Sequence, residues 1–263
     1  MKRLKDFFAV IRIVRDYLIN FFILNRNKIY NELNSEEKST LYELNKRGFC
    51  IVEEFWSKDL CEKAILELER IISENPESLK ESAKPDLRIF GANNLSKLVN
   101  KFCLSSTLLK IANVYNKKKT ISAFTLGAKQ PFTPKNKGSG GGWHRDSFLR
   151  QFKAILYLSD VGMNNGPFQL IEDSHKLKNI IIDTLRGRLG YNSRVKNSSI
   201  SKFASPKRIL SFPAKAGTLI LVDTSSIHRG MPIRSNERYA LTNYYFTEDE
   251  DILKKMKKFE VVT

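Results

Sequence analysis

Two histidines and one aspartate have the residue types and the spacing of a metal site. His144 and Asp146 stand two positions apart, and His228 follows Asp146 by 82 residues. Two imidazoles and a carboxylate hold Fe(II) on one face and leave its other face open for oxygen chemistry. The chain has only three histidines, and two of them belong to this pattern. We therefore predict that these three residues bind an iron ion that reacts with O2.

An arginine ten residues after the second histidine indicates a co-substrate. Arg238 begins a largely apolar segment that ends at Phe246, so its side chain can point inward. A guanidinium binds a carboxylate through two parallel hydrogen bonds, a geometry that an ammonium lacks. A dicarboxylate such as 2-oxoglutarate suits a basic residue at this position. Arg234 is a rival, but it precedes the apolar segment, and we favour Arg238.

The segments around these residues predict a barrel of short strands. On a strand, residues i and i+2 point to the same side, so His144 and Asp146 can face a barrel mouth while Arg145 points away. Short apolar segments separated by Gly, Pro or Asn predict strands at 120–127, 152–159, 167–171, 208–212, 218–222 and 238–246. Strands at this spacing favour a mainly β fold with flanking helices and a double-stranded β-helix, or jelly-roll, core.

Helical patterns precede the strands. A capped helix is predicted to begin near Ser35 and to end at Gly48, followed by a strand at 49–55 and a second helix from Ser57 to about Ser73. Residues 75–88 are polar and contain two prolines, which predicts a surface loop.

The first 24 residues predict an amphipathic helix. Arg12, Arg15 and Asp16 interrupt its apolar character, which argues against a secretion signal and against a spanning helix of about 18 nearly uncharged residues. Its apolar face either packs on protein, which we slightly favour, or lies on an anionic membrane with Lys2 and Arg3 near the headgroups. We divide the chain into this helix at 1–34 and a single domain at 35–263, with the jelly-roll core at about 119–247.

The charge of the chain favours anionic partners. It is +17, from 45 Lys and Arg against 28 Asp and Glu, and a solvated lysine-rich surface explains it equally well. A basic insertion at 176–208 has nine Lys or Arg and one Asp, which predicts either a lid over an anionic substrate or a disordered loop. The three cysteines match no metal spacing and indicate reduced thiols in a cytoplasmic protein.

Several motifs resemble the phytanoyl-CoA dioxygenase family of Fe(II)/2-oxoglutarate oxygenases. They are WHRDS at 143–147, NNGPFQLI at 164–171, DSHK at 173–176, AGTLILVD at 216–223 and the segment 228–238, together with LNKRGFCIVEEFWSKD at 44–59. The resemblance covers about residues 41–246. It implies that His144, Asp146 and His228 ligate iron and that Arg238 binds the distal carboxylate of 2-oxoglutarate. It also implies that O2 oxidises the substrate with release of succinate and CO2.

Details of these motifs refine the expected reaction. In related halogenases a small residue replaces the ligand carboxylate, so Asp146 favours hydroxylation. Gly230 stands where the family often has a hydroxyl residue, and EDSH at 172–175 replaces its Pro-Gly-Ser-His turn. We interpret His175 in that turn as a structural residue.

The predicted substrate is a small or lipid-linked anionic metabolite. The predicted location is cytoplasmic, with peripheral contact to the inner face of the membrane if residues 1–24 bind lipid. Oxidative demethylation of nucleic acid is an alternative that only the charge supports. A membrane-associated binding module without turnover is the non-enzymatic alternative, and the presence of all four site residues argues against it. No oligomeric state is predicted.

Overall fold

The protein is seen in a computed structural model. It describes residues 7–8, 10–15, 17–18, 28–76, 79, 86–134, 138, 141–185, 194–195, 197–248 and 250–262.

Two antiparallel sheets form the core of the fold. The larger has the order β1-β7-β4-β9-β3-β2, and the smaller has the order β6-β5-β8. The strands are β1 (Phe49–Val52), β2 (Leu87–Phe90), β3 (Thr120–Pro131), β4 (Phe152–Tyr157), β5 (Phe168–Ile171), β6 (Ile209–Phe212), β7 (Leu219–Asp223), β8 (His228–Gly230) and β9 (Glu237–Thr247). The two sheets confirm the jelly-roll prediction.

Alternation along the strands separates an inner face from an outer face. On β7, Ile220 and Val222 pack with Tyr157 and Phe168 between the two sheets. Their neighbours Leu219 and Leu221 belong instead to the large core cluster that the helices cover. Successive strand residues point to opposite sides, so every second residue of β4 and β9 faces the barrel interior. This alternation decides which polar side chains can reach a site inside the barrel.

Helices flank the two sheets. They are α1 (Lys28–Asn31), α2 (Ser35–Arg47), α3 (Lys58–Glu74), α4 (Ala92–Leu95), α5 (Lys97–Cys103), α6 (Ser106–Asn116), α7 (Leu177–Leu185) and α8 (Ile252–Phe259). Asn34, not Ser35, caps α2, because its side chain accepts a hydrogen bond from the Glu37 amide and the Glu37 carboxylate accepts one from the Asn34 amide. Gly48 ends α2 in the left-handed conformation, as predicted.

Several elements differ from the sequence prediction. The predicted loop at 75–88 gives way to β2, which pairs with the end of β3, and β3 continues four residues past its predicted end at 127. The short helices α4, α5, α6 and α8 were not predicted. The first two span four and seven residues, too few for a clear helical period to show in the sequence.

The described residues of the N-terminal segment are helical, in agreement with the prediction for 1–24. Ile13 is buried, whereas Phe8, Ile11 and Leu18 of the predicted apolar face are exposed. The helix therefore packs on protein along one side and leaves much of its apolar face open. Among the described residues, no helix combines the length and the apolar character needed to cross a membrane.

Candidate metal centre

Backbone pairing brings the two predicted histidine ligands together. The amide of His144 donates to the carbonyl of His228 at 2.9 Å, and the amide of His228 donates back at 2.8 Å. Two residues later, the amide of Asp146 donates to the carbonyl of Thr224 at 3.0 Å. The segment that carries His144 and Asp146 is thus fixed against β8 and the turn before it. The third candidate ligand, His228, lies on the facing strand β8.

The side chains converge on one point. Nδ1 of His144 lies 2.8 Å from the carbonyl of Gly142, and Nδ1 of His228 lies 2.9 Å from the carbonyl of Ser226. Each imidazole therefore turns Nε2 toward Asp146, at 3.4 Å from Oδ1 for His144 and 3.6 Å from Oδ2 for His228. The three potential ligand atoms all lie within 4.8 Å of one another. Carbonyl acceptors on the distal ring nitrogen are the usual support of metal-binding histidines, so the set fits a divalent ion.

The electrostatics of the cluster suit metal binding. Burial, assisted by the charge of His144, lowers the pKa of His228 to about 3, so its imidazole is neutral near pH 7. Burial alone would raise the pKa of Asp146, but the charges of Lys153 and then His228 hold it well below its ordinary value. A neutral imidazole and an ionised carboxylate are the forms that bind metals.

A buried lysine that the sequence analysis did not single out completes the cluster. Nζ of Lys153 lies 2.7 Å from Oδ2 of Asp146 and 3.9 Å from the ring centroid of Tyr244. Lys153 is on β4, where Ile155 and Tyr157 share its inward face. A single lysine in the apolar segment FKAILY at 152–157 is the sequence signal that could have revealed it.

Arg145 points away from the cluster and ties the surrounding turns together. Its Nη1 donates to the carbonyls of Ser174 at 2.9 Å and Ser225 at 2.6 Å.

His175 packs its ring against Gly48. A Cβ at the position of Gly48 would lie 2.6 Å from Nδ1 of His175. The metal cluster of the described residues does not include His175, in line with a structural role.

Arg238 is buried on the inner face of β9, whereas its rival Arg234 is exposed. Its Nε donates to Oε1 of Gln130 at 2.7 Å, and Nη2 contacts the same oxygen. Gln130 in turn donates to Asp86 at 3.0 Å. Within the described part of the chain, no carboxylate forms an ion pair with Arg238. A buried guanidinium in this position fits an incoming carboxylate, because burying an uncompensated charge is costly.

Two aromatic residues lie between Arg238 and the metal cluster. The Tyr157 phenol lies beside Arg238; burial raises the pKa of that phenol, and burial lowers the pKa of the arginine. The Tyr157 hydroxyl accepts a hydrogen bond from the Phe168 amide at 2.8 Å. The ring centroid of Phe168 is 5.5 Å from that of His228. Arg238 and the candidate ligand His228 are thus connected through the contacts of Tyr157 and Phe168.

A cavity of about 630 Å³ opens onto His144 and Asp146. Its lining is strongly basic, with eight Lys or Arg residues and only two acidic ones. Besides Arg145 and Lys153, the basic residues are Lys117, Lys118, Arg150, Arg194, Lys255 and Lys258. The N-terminal helix contributes Tyr17 to the wall. Such a lining raises the local concentration of anions.

The described parts of the basic insertion pack beside the metal cluster. Arg194 forms an antiparallel bridge with His144, and the amide of Val195 donates to the carbonyl of Trp143 at 2.9 Å. Val195 and Ala204 are buried against Trp143 and Ile227. These described parts of the insertion thus pack against the core. Residues 186–193 and 196 of the insertion lie outside the described residues.

The comparison with protein families identifies the chain. Residues 44–240 match the phytanoyl-CoA dioxygenase (PhyH) family. The chain belongs to this family of Fe(II)/2-oxoglutarate-dependent oxygenases. The match confirms the resemblance found in the sequence motifs. No curated protein sequence was found to match the chain.

Solved structures of similar fold include metal-dependent and 2-oxoglutarate-dependent proteins. HygX from Streptomyces hygroscopicus, with nickel and 2-oxoglutarate bound, has a TM-score of 0.61 and 16% identity over 82% of this chain and 88% of its own. The epimerase SnoN from nogalamycin biosynthesis has a TM-score of 0.60 and 13% identity, covering 81% and 83% of the two chains. EctD from S. alaskensis, with bound Fe, has a TM-score of 0.61 and 16% identity over 82% and 77%. At these identities the similarity concerns the fold.

The Asp146–Lys153 pair predicts how metal affects stability. Lys153→Met leaves the partly exposed Asp146 carboxylate without its buried cation, which should lower the free energy of unfolding of the metal-free chain by about 1–3 kcal/mol. A bound divalent ion compensates Asp146, so Co(II) should raise the melting temperature more in this variant than in the wild type. Differential scanning fluorimetry with and without Co(II) measures both effects.

Lys129→Met is the matched control, because Lys129 forms an ion pair with Glu69 outside the cavity. Its response to Co(II) should equal that of the wild type. An equal Co(II) response in the Lys153 variant would show that the lysine does not compensate Asp146.

Proposed function

We propose that the chain is an Fe(II)/2-oxoglutarate-dependent dioxygenase that hydroxylates a small or lipid-linked anionic substrate and releases succinate and CO2. One observation carries this proposal. Nε2 of His144, Nε2 of His228 and the carboxylate of Asp146 converge where a basic cavity enters the barrel. Membership of the family supplies the reaction class.

The chain's own residues would hold the metal in a fixed orientation. Fe(II) and 2-oxoglutarate, when bound, supply the activation of O2, which is coupled to decarboxylation of 2-oxoglutarate. His144, Asp146 and His228 would bind the metal, and the carbonyls of Gly142 and Ser226 fix both imidazole rings. The backbone bonds between the ligand segments keep this arrangement in place before any ligand binds.

Arg238 would bind the distal carboxylate of 2-oxoglutarate. Gln130 accepts from Nε and Nη2, so it fixes the guanidinium plane. Arg238, Tyr157 and Phe168 are all buried, so water has little access to this part of the barrel. Hydrogen bonds between charged groups are stronger in such a water-poor interior than in solvent.

Asp146 supports hydroxylation as the outcome. A carboxylate ligand occupies the position that halogenases of related fold need for chloride. The neighbour SnoN is an epimerase, so the same fold also serves a different outcome. Substrate placement in the cavity would select between these outcomes.

The metal assignment is tested by absorption spectroscopy under anaerobic conditions. Fe(II) with 2-oxoglutarate should give a visible charge-transfer band in the wild type. Asp146→Ala removes one of three ligands and should weaken the band strongly. An unchanged band would contradict the triad. Succinate release with candidate phosphorylated metabolites and envelope extracts then tests turnover, with the same variant as the inactive control.

The co-substrate assignment is tested by two arginine variants. Arg238→Ala removes the buried partner of the 2-oxoglutarate carboxylate, which should weaken the binding free energy of 2-oxoglutarate by at least about 2 kcal/mol. The 2-oxoglutarate concentration that half-saturates the charge-transfer band should therefore rise about 30-fold. Arg234→Ala, at an exposed position in the same segment, should leave it within about twofold. Equal effects of the two substitutions would reassign the co-substrate site.

We also propose that the N-terminal helix gives the protein peripheral contact with anionic membranes. Phe7, Phe8, Ile11 and Leu18 are all exposed, and Arg12 and Arg15 lie on the same helix. Apolar side chains together with basic ones are typical of helices that lie in the membrane interface. A lipid-linked substrate would then be presented near a cavity that Tyr17 borders.

Sedimentation with vesicles of phosphatidylcholine and phosphatidylglycerol tests this contact. Changing Phe7, Phe8 and Ile11 together to Ser should reduce the bound fraction at least about threefold, because three apolar side chains are lost from the interface. Leu253→Ser removes an exposed leucine from α8 and should have no effect. Equal sedimentation of all three proteins would remove the membrane proposal.

A further inference from the structure

Two basic residues from separate elements line the same part of the cavity wall. Lys117 directly follows α6 and has a positive φ of 54°. Arg150 lies in the segment before β4, four residues after Asp146. Both residues line the cavity that reaches the metal cluster. Neither was singled out by the sequence analysis.

Arg150 is held in a defined orientation. Its Nη1 donates to Oδ1 of Asn45 at 3.0 Å and to the carbonyl of Tyr115 at 3.2 Å. Its Cζ lies 5.0 Å from the ring centroid of Tyr115. These hydrogen bonds engage one of the three guanidinium nitrogens. No carboxylate among the described residues forms an ion pair with Arg150, so its charge is uncompensated by the protein there.

Lys117 lies close enough to Arg150 for the two charges to oppose each other. Burial lowers the pKa of Lys117, and the positive charge of Arg150 lowers it further. Two like charges in a cavity wall are stabilised when an anion binds between them.

We propose that Lys117 and Arg150 bind a phosphate or diphosphate group of the substrate. This proposal rests on the proposed function, and it means that the substrate of the enzyme is an organic phosphate. A phosphate monoester carries close to two negative charges near neutral pH, which matches two cations, and its oxygens match the planar fork of an arginine.

The position of the two residues relative to the metal cluster fits this assignment. Four residues separate Arg150 from Asp146, so their Cα atoms are at most roughly 14 Å apart. The phosphate would therefore be held at the rim while another part of the same molecule reaches the metal cluster. Aromatic residues from three elements, Tyr17, Tyr244, Phe246 and Phe259, line the same cavity and suit the organic part.

Isothermal titration of the full-length, metal-free chain with inorganic pyrophosphate tests the site, because the absence of metal avoids chelation by the probe. The wild type should bind, and Lys117→Gln and Arg150→Gln should each raise the Kd at least about tenfold, as expected for loss of a charge-assisted hydrogen bond. Arg150→Lys retains the charge without the fork and should have an intermediate Kd. Lys110→Gln is the matched control, since Lys110 is exposed on α6 outside the cavity and its loss changes the net charge equally.

The outcomes separate the site from general charge effects. If Lys110→Gln weakens pyrophosphate binding as much as Lys117→Gln and Arg150→Gln do, the proposal is overturned. It is also overturned if the wild type does not bind pyrophosphate. The charge-transfer band with Fe(II) and 2-oxoglutarate should persist in all four variants, which shows that they are folded. A wild type without this band would refute the proposed function and leave the pyrophosphate result standing.

The same variants distinguish the two sources of a phosphate group. In a protein whose Phe7, Phe8 and Ile11 are all changed to Ser, vesicles that contain phosphatidic acid should still cause sedimentation, and a further Arg150→Gln change should abolish it if the phosphate belongs to a lipid. Equal sedimentation of both proteins, together with a pyrophosphate Kd that depends on Arg150, would assign the site to a soluble phosphate ester.

Discussion

The reciprocal backbone hydrogen bonds between His144 and His228 are the interaction on which the candidate site depends. They join two segments more than eighty residues apart in the sequence and place both imidazoles on one side. The hydrogen bond from the Asp146 amide to the Thr224 carbonyl continues this pairing and fixes the position of Asp146 relative to the two histidines. Because backbone bonds rather than side chains make the connection, the three candidate ligands are positioned before any metal arrives. Every other polar residue of the site is arranged around this frame.

The charged residues of the site lie at different depths in the barrel. Arg238 lies on the inner face with Gln130, and Lys153 lies beside Asp146. Arg150 and Lys117 lie on the cavity wall near solvent. The burial of Arg238 and Lys153 is tolerable only because each has a specific polar partner. Under the proposed function, the buried Arg238 would bind the co-substrate, and the more accessible Arg150 and Lys117 would bind the substrate.

The sequence alone predicted the residues whose roles follow from local spacing. His144 and Asp146 share a strand face, and Arg238 begins an apolar strand, so their positions follow from the two-residue period. Lys153, Lys117 and Arg150 escaped prediction because their roles follow from which elements meet. Nothing near Lys117 in the sequence indicates that the end of α6 borders the same cavity as the segment after Asp146. The exposed side of the N-terminal helix was likewise set by tertiary contacts, which bury Ile13 rather than the face with Phe8 and Ile11.

The ion pair of Lys153 with Asp146 has a consequence for the order in which the site fills. The two charges cancel, so the floor of the cavity is close to neutral until a divalent cation enters. A bound divalent cation would add two positive charges there, and these would attract a dicarboxylate much more strongly than the neutral floor does. Under the proposed function, the site would therefore fill with the metal first and the co-substrate second, an order that follows from charge alone.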